Sequence, residues 1–314
     1  PADSRQGYAM SQGGSLVRYD LRTGSRKSIR PPAPEETELR FHWNSAIALD
    51  PARSDTVYYG SQFVHRSENR GEAWTVISPD LTTNNPEWQK QDESGGLTID
   101  VTAAENHCTI ITIAPSSIAS GVIWAGTDDG RVQITRDGGD AWVSVEPNIP
   151  DLPSNTWCPH IEACKFDAAT AFAVFDGHRN SDWTPYIYVT RDYGATWTSL
   201  ATNSIDGYCH VIEQDPVQKD LLWVGTEFGL FVSLDGGKQW NAWRHGVPTC
   251  AARAITTQTR DGDLVVATHG RSIFVIDDIS PLRSMTPELL QKKLHVFMPR
   301  PAIMHGPAQT PSTR

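Results

Sequence analysis

The sequence is poor in cysteine, in basic charge and in long apolar runs. Its 314 residues include five cysteines, which are too few and too scattered for a disulfide framework or a Cys-x-x-Cys metal site. Lys and Arg number 27 against 37 Asp and Glu, a formal net charge of −10, so the basic face that nucleic acid requires is not expected. No run of about 18 apolar residues occurs, which excludes a membrane-spanning helix. These absences predict a globular chain with no nucleic-acid partner and no membrane span.

Familiar chemical motifs are also missing. The sequence has no Gly-rich phosphate loop and no nucleophile elbow. No two histidines stand at the i, i+4 spacing of a helical zinc site, so we predict no cofactor and no metal; a zinc or iron site gathered from distant histidines stays open as an alternative. The chain opens on Pro1 without an initiator Met or a signal segment, and we therefore expect a processed product or an excised fragment.

The abundant residues are glycine, proline and tryptophan, with 24, 21 and 11 copies. That mixture is typical of many short strands joined by turns. One octet, Ser/Thr-x-Asp/Asn-x-Gly-x-x-Trp, recurs four times, at 67–74, 135–142, 190–197 and 233–240.

The octet has the chemistry of a hairpin turn. Its Asp or Asn oxygen can accept from turn N–H groups, its glycine can adopt a positive φ, and its Trp can anchor the following strand. A calcium site at 137–140 is the alternative, but that loop lacks the oxygen-ligand series. The residues to which we assign a structural role are Asn69, Trp74, Asp137, Trp142, Asp192, Trp197, Asp235 and Trp240.

A larger unit surrounds each octet. Two short strands precede it, and the second of these ends in Gly-Ser or Gly-Thr, as at 60–61, 126–127 and 225–226. Four short strands in about forty residues are typical of a β-propeller blade. We predict an all-β propeller of four-stranded antiparallel blades, six of them visible, as a complete ring or as part of a seven-bladed or longer one. The predicted boundaries are a propeller over 1–281, with blades at about 1–33 (partial), 41–78, 107–146, 160–200, 208–244 and 250–279, and a Pro-rich exit segment over 282–314.

Beyond the octet, seven segments carry a further likeness. They are Ser94-Gly-Gly, Ala104-Glu-Asn-His-Cys-Thr, Gly126-Thr-Asp-Asp-Gly130, Asp176-Gly-His-Arg179, Tyr186-Ile-Tyr, Gly225-Thr-Glu-Phe-Gly229 and Ala267-Thr-His-Gly-Arg-Ser272. The octet resembles the Asp-box, or BNR repeat, of sialidases, sortilin-type receptors, xyloglucan-degrading tandem propellers and photosystem assembly factors. From about residue 41 to 300 the chain resembles the large bacterial sortilin-like or "glycosyl hydrolase" repeat proteins. This resemblance implies a β-propeller, a secreted or periplasmic location and a longer parent chain, but no particular chemistry.

Candidate site residues follow from the repeat. In a propeller the turns after the second strands and the connections between blades meet at one face, around the mouth of the channel. Gln62, Asp128, Glu227 and His269 occupy equivalent positions after the second strands, so we predict that they form a polar ring there. The other ligand-binding candidates at this face are His107, Asp129, His160, His178, Arg179, Trp183, His210 and Arg271.

Two functions fit this face. A binding or scaffold module would hold a protein or glycan partner, or the remainder of a longer parent chain, with help from surface insertions such as 79–106. A glycoside hydrolase would use Asp128 and Glu227 as its catalytic carboxyl pair. Trp43, Trp157 and Trp183 would then stack on sugar rings.

A sialidase would further need an arginine cluster, for which Arg179, Arg253 and Arg271 are candidates. Its Tyr–Glu nucleophile pair cannot be assigned from spacing. A purely structural component of a larger assembly is a further possibility. We predict the binding or scaffold module and keep the hydrolase as the alternative.

Overall fold

The computed structural model describes residues 3–90 and 106–300, and these residues are almost entirely β-strand and turn. Most of the insertion at 79–106 and the end of the exit segment, 301–314, lie outside the described residues. The strands form six antiparallel sheets in chain order. The prediction of an all-β, six-bladed propeller is confirmed.

The four central sheets each have four strands, and we number them blades 2 to 5. Blade 2 contains β4 (Ile47–Leu49), β5 (Val57–Gly60), β6 (Val64–Ser67) and β7 (Thr75–Val76). Blade 3 contains β8 (Ile110–Pro115), β9 (Ile123–Thr127), β10 (Val132–Thr135) and β11 (Val143–Ser144). Blade 4 contains β12 (Trp157–Ala163), β13 (Ala171–Asp176), β14 (Tyr186–Thr190) and β15 (Thr198–Ser199). Blade 5 contains β16 (Cys209–Gln214), β17 (Leu222–Thr226), β18 (Gly229–Ser233) and β19 (Asn241–Trp243).

The first and last sheets have three strands each, which agrees with the prediction of a partial blade at 1–33 and gives the blade at 250–279 one strand fewer than the general four-stranded pattern. Blade 1 contains β1 (Gln6–Ser11), β2 (Ser15–Asp20) and β3 (Ser25–Ser28), and blade 6 contains β20 (Ala252–Gln258), β21 (Asp263–Thr268) and β22 (Ile273–Ile276). Two short helices follow, α1 (Ser280–Arg283) and α2 (Pro287–Leu290). None of the described helices is long and apolar enough to cross a membrane.

The first strands of blades 2 to 6 contact one another in sequence and surround the central channel. Between neighbouring blades the facing side chains form continuous apolar clusters; one of them contains Trp124, Val132, Ala173 and Phe175, from blades 3 and 4. The five cysteines are free thiols, and four of them are buried. Packing of blade against blade therefore holds the described fold together without a disulfide bond.

The octet forms the hydrogen-bonded turn that its residues predict. Thr135 Oγ1 donates to Asp137 Oδ1 at 2.7 Å and accepts from the Gly139 N–H at 3.0 Å, while Asp137 Oδ1 also accepts from the Ala141 N–H at 3.0 Å. The same three hydrogen bonds occur in the octets at 67–74, 190–197 and 233–240. The Ala141 and Thr135 hydrogen bonds lower the pKa of Asp137. This carboxylate is therefore used to close the turn.

Three octet tryptophans tie their blade to the preceding one. Each donates its indole N–H to the carbonyl just after the last strand of that blade. The pairs are Trp74–Ile29, Trp142–Ile77 and Trp240–Leu200, at 2.8, 2.8 and 2.9 Å. The fourth, Trp197, is buried and packs edge-on against Trp124, with ring centroids 6.0 Å apart. Ile29 follows β3 just as Ile77 follows β7, the fourth strand of blade 2, and both carbonyls accept an indole N–H from the next blade. The strands of blade 1 therefore correspond to the second, third and fourth strands of a complete blade.

The octet glycine allows this close approach between blades. Gly139 has a φ of +113°, and a Cβ added there would lie 2.4 Å from the Ile77 carbonyl oxygen. Gly24, in the β2–β3 hairpin, also has a positive φ, of +70°, but a Cβ there would meet nothing within 4 Å. The positive φ accounts for a glycine at both positions. Only at Gly139 does the close contact with the neighbouring blade also exclude a side chain.

Replacing Gly139 with Ala is expected to lower the free energy of unfolding by about 2–4 kcal/mol, because strain at positive φ adds to overpacking against blade 2. Gly24→Ala is the matched control and should cost only about 1 kcal/mol, from the φ strain alone. Urea unfolding of the two variants measures both values. Equal losses would contradict the interblade role of Gly139.

The two ends of the arc of blades present open sheet faces. Ile273 and Val275 of β22 are 63% and 55% exposed. On blade 1 an open apolar groove is lined by Ala9, Val17 and Tyr19, among others. Among the described residues, no apolar cluster joins blade 1 to blade 6. Within residues 3–90 and 106–300, each terminal blade therefore packs against a neighbouring blade on one side only.

Candidate functional site

A cavity of about 890 Å³ opens where the first strands begin and the second strands end. Strand direction explains which residues line it. In every blade, the connection from the preceding blade and the turn between the second and third strands lie at this end of the channel. We call this space the mouth cavity. Its lining residues are His42, Trp43, Asn44, Ile111, Trp157, Pro159, Asp176, Arg179, His210, Arg253 and His269.

A relay of hydrogen bonds from blades 5 and 6 forms one wall. Glu227 Oε2 accepts from the Tyr208 hydroxyl at 2.9 Å and lies 3.0 Å from His210 Nε2. On the other side of the imidazole, Arg253 Nη1 is 3.4 Å from His210 Nδ1. A guanidinium can only donate, so His210 accepts at Nδ1 and donates from Nε2 to the carboxylate. The relay fixes one tautomer of a neutral histidine.

The charges of the relay agree with this assignment. Burial, followed by repulsion from Arg253, lowers the pKa of His210 to about 4. Burial alone would raise the pKa of Glu227, but the hydrogen bonds from His210 and Tyr208 outweigh it, and that pKa is lowered. At neutral pH the histidine is therefore neutral and the carboxylate ionised. The hydrogen bonds described for Glu227 use Oε2, which leaves Oε1 for a hydroxyl donor.

A second acidic group lies on blade 4. Asp176 is buried, and its Oδ1 is 2.5 Å from His178 Nδ1 and accepts from the His178 N–H at 3.0 Å. Burial opposes ionisation of Asp176, but these contacts and the nearby Arg179 lower its pKa. The Arg179 guanidinium is 3.6 Å from Asp176 Oδ2 and lies 3.5 Å from the centroid of the Trp157 ring. Cation–π contact and ion pairing hold Arg179 at the cavity wall.

Aromatic rings extend this surface. The His178 ring stacks on Tyr208, with centroids 4.5 Å apart, and Trp183 lies 5.5 Å from the same tyrosine ring. Trp183 is 56% exposed, and Trp43, which lines the mouth cavity, is 40% exposed. Exposed indole faces beside fixed polar groups are typical of a surface that binds a ring with hydroxyl groups.

Two residues of the predicted polar ring, Asp128 and Gln62, turn inward, and so does the neighbouring ligand-binding candidate Asp129. Asp128 is fully buried, with Oδ1 and Oδ2 accepting from the Thr109 N–H at 2.8 Å and from its hydroxyl at 2.6 Å. Asp129 is also buried, and its Oδ2 accepts from the Thr83 N–H at 2.6 Å. Gln62 bonds the backbone of residues 38 and 40. In the described structure these side chains hold loops together and do not line the mouth cavity.

Five other predicted residues lie at or beside the mouth cavity. His269, Arg179 and His210 line the mouth cavity. His178 and Trp183 lie beside it, in the aromatic group around Tyr208.

His107 is buried between the rings of Trp88 and Trp157, at 5.5 and 5.9 Å. Arg271 is exposed and is not part of the lining. His160 lines a second cavity, of about 450 Å³, along the first strands. The described residues contain no group of three His, Cys, Asp or Glu able to hold a metal ion.

A buried charge network adjoins the second cavity. Lys165 Nζ bonds Glu162 Oε1, donates to the Gln214 carbonyl at 2.7 Å and lies 3.3 Å from Glu213 Oε1. Burial, followed by repulsion from Glu213, raises the pKa of Glu162 to about 7. Glu213 also accepts from the Thr257 N–H at 3.1 Å. The network therefore joins blades 4, 5 and 6.

Sequence reasoning did not include Tyr208 or Asp176 among the site residues. A signal for the tyrosine was present, since an aromatic-Cys dipeptide recurs at the start of three first strands, at 107–108, 157–158 and 208–209. The structure explains this pattern, because the rings lie near the mouth cavity and the cysteines are buried. For Asp176 the sequence signal is weaker. Blade 4 has this aspartate at the end of its second strand, where blades 2, 3 and 5 have Ser or Thr.

No family model matches the chain, and no curated protein matches it. Among solved structures it is similar to an ancestral GH74 enzyme, with 17% identity and a TM-score of 0.51 over 74% of this chain and 29% of that one. It is also similar to YCF48 bound to D1 peptide, with 11% identity and a TM-score of 0.53 over 88% and 75%. The extracellular domain of the one-component system BT4673 from B. thetaiotaomicron gives 12% identity and a TM-score of 0.54 over 88% and 32%.

The chain thus spans less than a third of the GH74 enzyme and of the BT4673 domain chain. At 11–17% identity these similarities show the fold alone. The chemistry of the mouth cavity therefore depends on its own residues. What the chain shares with these proteins is the β-propeller fold.

Proposed function

We propose that this chain is an extracytoplasmic ligand-binding propeller module that holds a glycan in the mouth cavity. One observation carries the proposal. The cavity combines an exposed indole, Trp43, with polar groups whose orientation is fixed by their own hydrogen bonds, as in the relay through His210. Sugar rings need both, an apolar face to stack on and oriented partners for their hydroxyls. We also propose that the four octets are Asp-boxes of the BNR type and serve the fold alone.

Binding is favoured over hydrolysis by the state of the carboxyl groups. A glycosidase needs one carboxyl kept protonated as general acid, close to a second one across the bond. The pKa of Asp128 is raised, through burial and the neighbouring Asp129, but this carboxyl is fully buried and bonded to Thr109. Asp176 lines the cavity and Glu227 contacts its lining residue His210, and the pKa values of both carboxyl groups are lowered. Both are suited to accept hydrogen bonds and not to donate a proton.

The test is a glycan array followed by titration of the oligosaccharides that bind. Trp43→Ala should weaken their binding about two- to tenfold, because a stacked ring contributes roughly 0.5–1.5 kcal/mol and 1.4 kcal/mol is a factor of ten. Phe166→Ala removes another exposed ring, which is 41% exposed and does not line the mouth cavity, and should leave binding unchanged.

Four outcomes would count against the proposal. Binding of no oligosaccharide, or an equal loss in both variants, would contradict glycan binding at the mouth. Capture of a protein ligand that Trp43→Ala releases would replace the glycan with a protein partner. Release of new reducing ends from a bound oligosaccharide, abolished in Glu227→Gln, would establish the hydrolase instead.

A further inference from the structure

Two arginines of the mouth cavity are less fully paired than the acids around them. The guanidinium of Arg253 makes one hydrogen bond within the described residues, to the neutral His210 ring at 3.4 Å. Arg179 has a single ion pair there, at the long distance of 3.6 Å, with Asp176. A guanidinium carries five N–H donors. Most of the donors on these two side chains are therefore available to a ligand in the cavity.

The neighbouring carboxylates are already occupied. Asp176 is in closer contact with His178, at 2.5 Å, than with Arg179. Glu227 accepts from Tyr208 and His210, so that the histidine separates this carboxylate from Arg253. Each acid thus has a closer hydrogen-bond partner within the wall than either arginine.

The two guanidiniums also repel each other. The pKa of Arg179 is lowered chiefly by burial, with Asp176 opposing the shift and Arg253 adding to it. Like charges in a partly desolvated cavity are unfavourable unless an anion lies between them. A carboxylate can accept two parallel N–H bonds from each guanidinium, which gives affinity and a defined orientation.

We propose that the glycan held in the mouth cavity is acidic, and that Arg179 and Arg253 together bind the carboxylate of a hexuronate residue. This inference rests on the proposed function and specifies its ligand class. A singly charged sugar acid fits better than a sulfated chain, because Asp176 and Glu227 bring negative charge to the same wall and the chain carries a net charge of −10. Trp43, at the cavity lining, provides the face for the sugar ring.

The experiment compares trimers that differ only in charge. Calorimetric titration would use trigalacturonate and triglucuronate, their methyl esters, and a neutral hexose trimer. The acidic trimer is expected to bind about ten- to a hundredfold more tightly than its ester, as for hydrogen bonds to a charged group. Arg253→Gln and, separately, Arg179→Gln should remove most of this difference, and Arg253→Lys should restore part of it.

Arg260→Gln is the matched control. Arg260 is an 82% exposed side chain that pairs with Asp261 and does not line the mouth cavity, so its loss should leave both affinities unchanged. Melting temperatures of the variants within a few degrees of wild type would show that they fold.

The results separate this inference from the function on which it rests. Equal affinity for acid, ester and neutral trimers would overturn the carboxylate site while leaving glycan binding in place. Tighter binding of a sulfated trimer, lost in Arg253→Gln, would overturn the assignment to a hexuronate. Binding of a peptide through its terminal carboxylate, with no affinity for any trimer, would overturn both proposals.

Discussion

Replacing Lys165 with Met is expected to lower the free energy of unfolding by about 3–5 kcal/mol at pH 8, the loss typical of removing one partner from a buried ion pair. Lys165 Nζ is within reach of Glu162, Glu213 and the Gln214 carbonyl. Without the ammonium group, two carboxylates with little exposure face each other across blades 4 and 5. Urea unfolding at fixed pH measures the loss.

The size of this loss should depend on pH in a defined direction. The folded protein holds the Glu162 proton up to a pKa of about 7, against an ordinary value of 4.5. Between these values the folded state binds more protons than the unfolded chain, so the contribution of Glu162 to stability falls as pH rises. The destabilisation by Lys165→Met should therefore be smaller at pH 5 than at pH 8.

Two further variants test the cause. The triple variant Lys165→Met, Glu162→Gln, Glu213→Gln removes all three charges and should recover much of the lost stability. Lys238→Met, at an exposed position, should change stability by less than about 0.5 kcal/mol. A loss at pH 5 as large as that at pH 8, with no recovery in the triple variant, would show that packing of the lysine stem matters and its charge does not.

Replacing Trp240 with Ala is expected to cost about 3–5 kcal/mol, as for other large-to-small changes in a core. The ring is 3% exposed, and its N–H donates to the Leu200 carbonyl at 2.9 Å, so the substitution removes packing and a hydrogen bond between blades 4 and 5. Trp240→Phe should cost less, because most of the ring remains. Thermal and urea unfolding measure the series.

Trp183→Ala is the control for this substitution. Trp183 is 56% exposed and belongs to the aromatic group beside the mouth cavity, so its loss should leave the free energy of unfolding within about 0.5 kcal/mol of wild type. Comparable losses in Trp240→Ala and Trp183→Ala would contradict a special role for the octet tryptophan. Only the first is expected to shift the unfolding midpoint.

The fold was predictable because its signals are local. Thr135, Asp137 and Gly139 lie within five residues of one another, and the hydrogen bonds that they make with each other and with Ala141 define a turn that needs no distant partner. The sequence predicts a partial blade 1 and a last blade without an octet, but it does not show how many strands each of these sheets contains. A three-stranded sheet has the same strand pattern as part of a four-stranded one, and only tertiary contacts such as that of Trp74 with Ile29 show which strand is absent.

For the candidate site, the repeat indicates which turns meet at the mouth of the channel, whereas tertiary contacts decide where each side chain there points. Equivalence between blades singled out His269, which lines the mouth cavity, and Glu227, which contacts His210 in its wall. It could not show that Asp128 turns away to bond Thr109, because that choice depends on a neighbouring strand nineteen residues away in the chain. The direction of a side chain at a turn is set by whichever partner satisfies it when water is excluded.

The open ends of the arc give the molecule a gradient of local stability. In a linear array each unit is stabilised by the interfaces on its two sides. In the part of the chain that the structure describes, blades 2 to 5 have two such interfaces, whereas blades 1 and 6 have one. Amide hydrogens of the terminal blades should thus exchange with solvent through partial opening that leaves the centre intact. Arg253 and His269 belong to blade 6, so a ligand bound in the mouth would also slow exchange in the least protected part of the propeller.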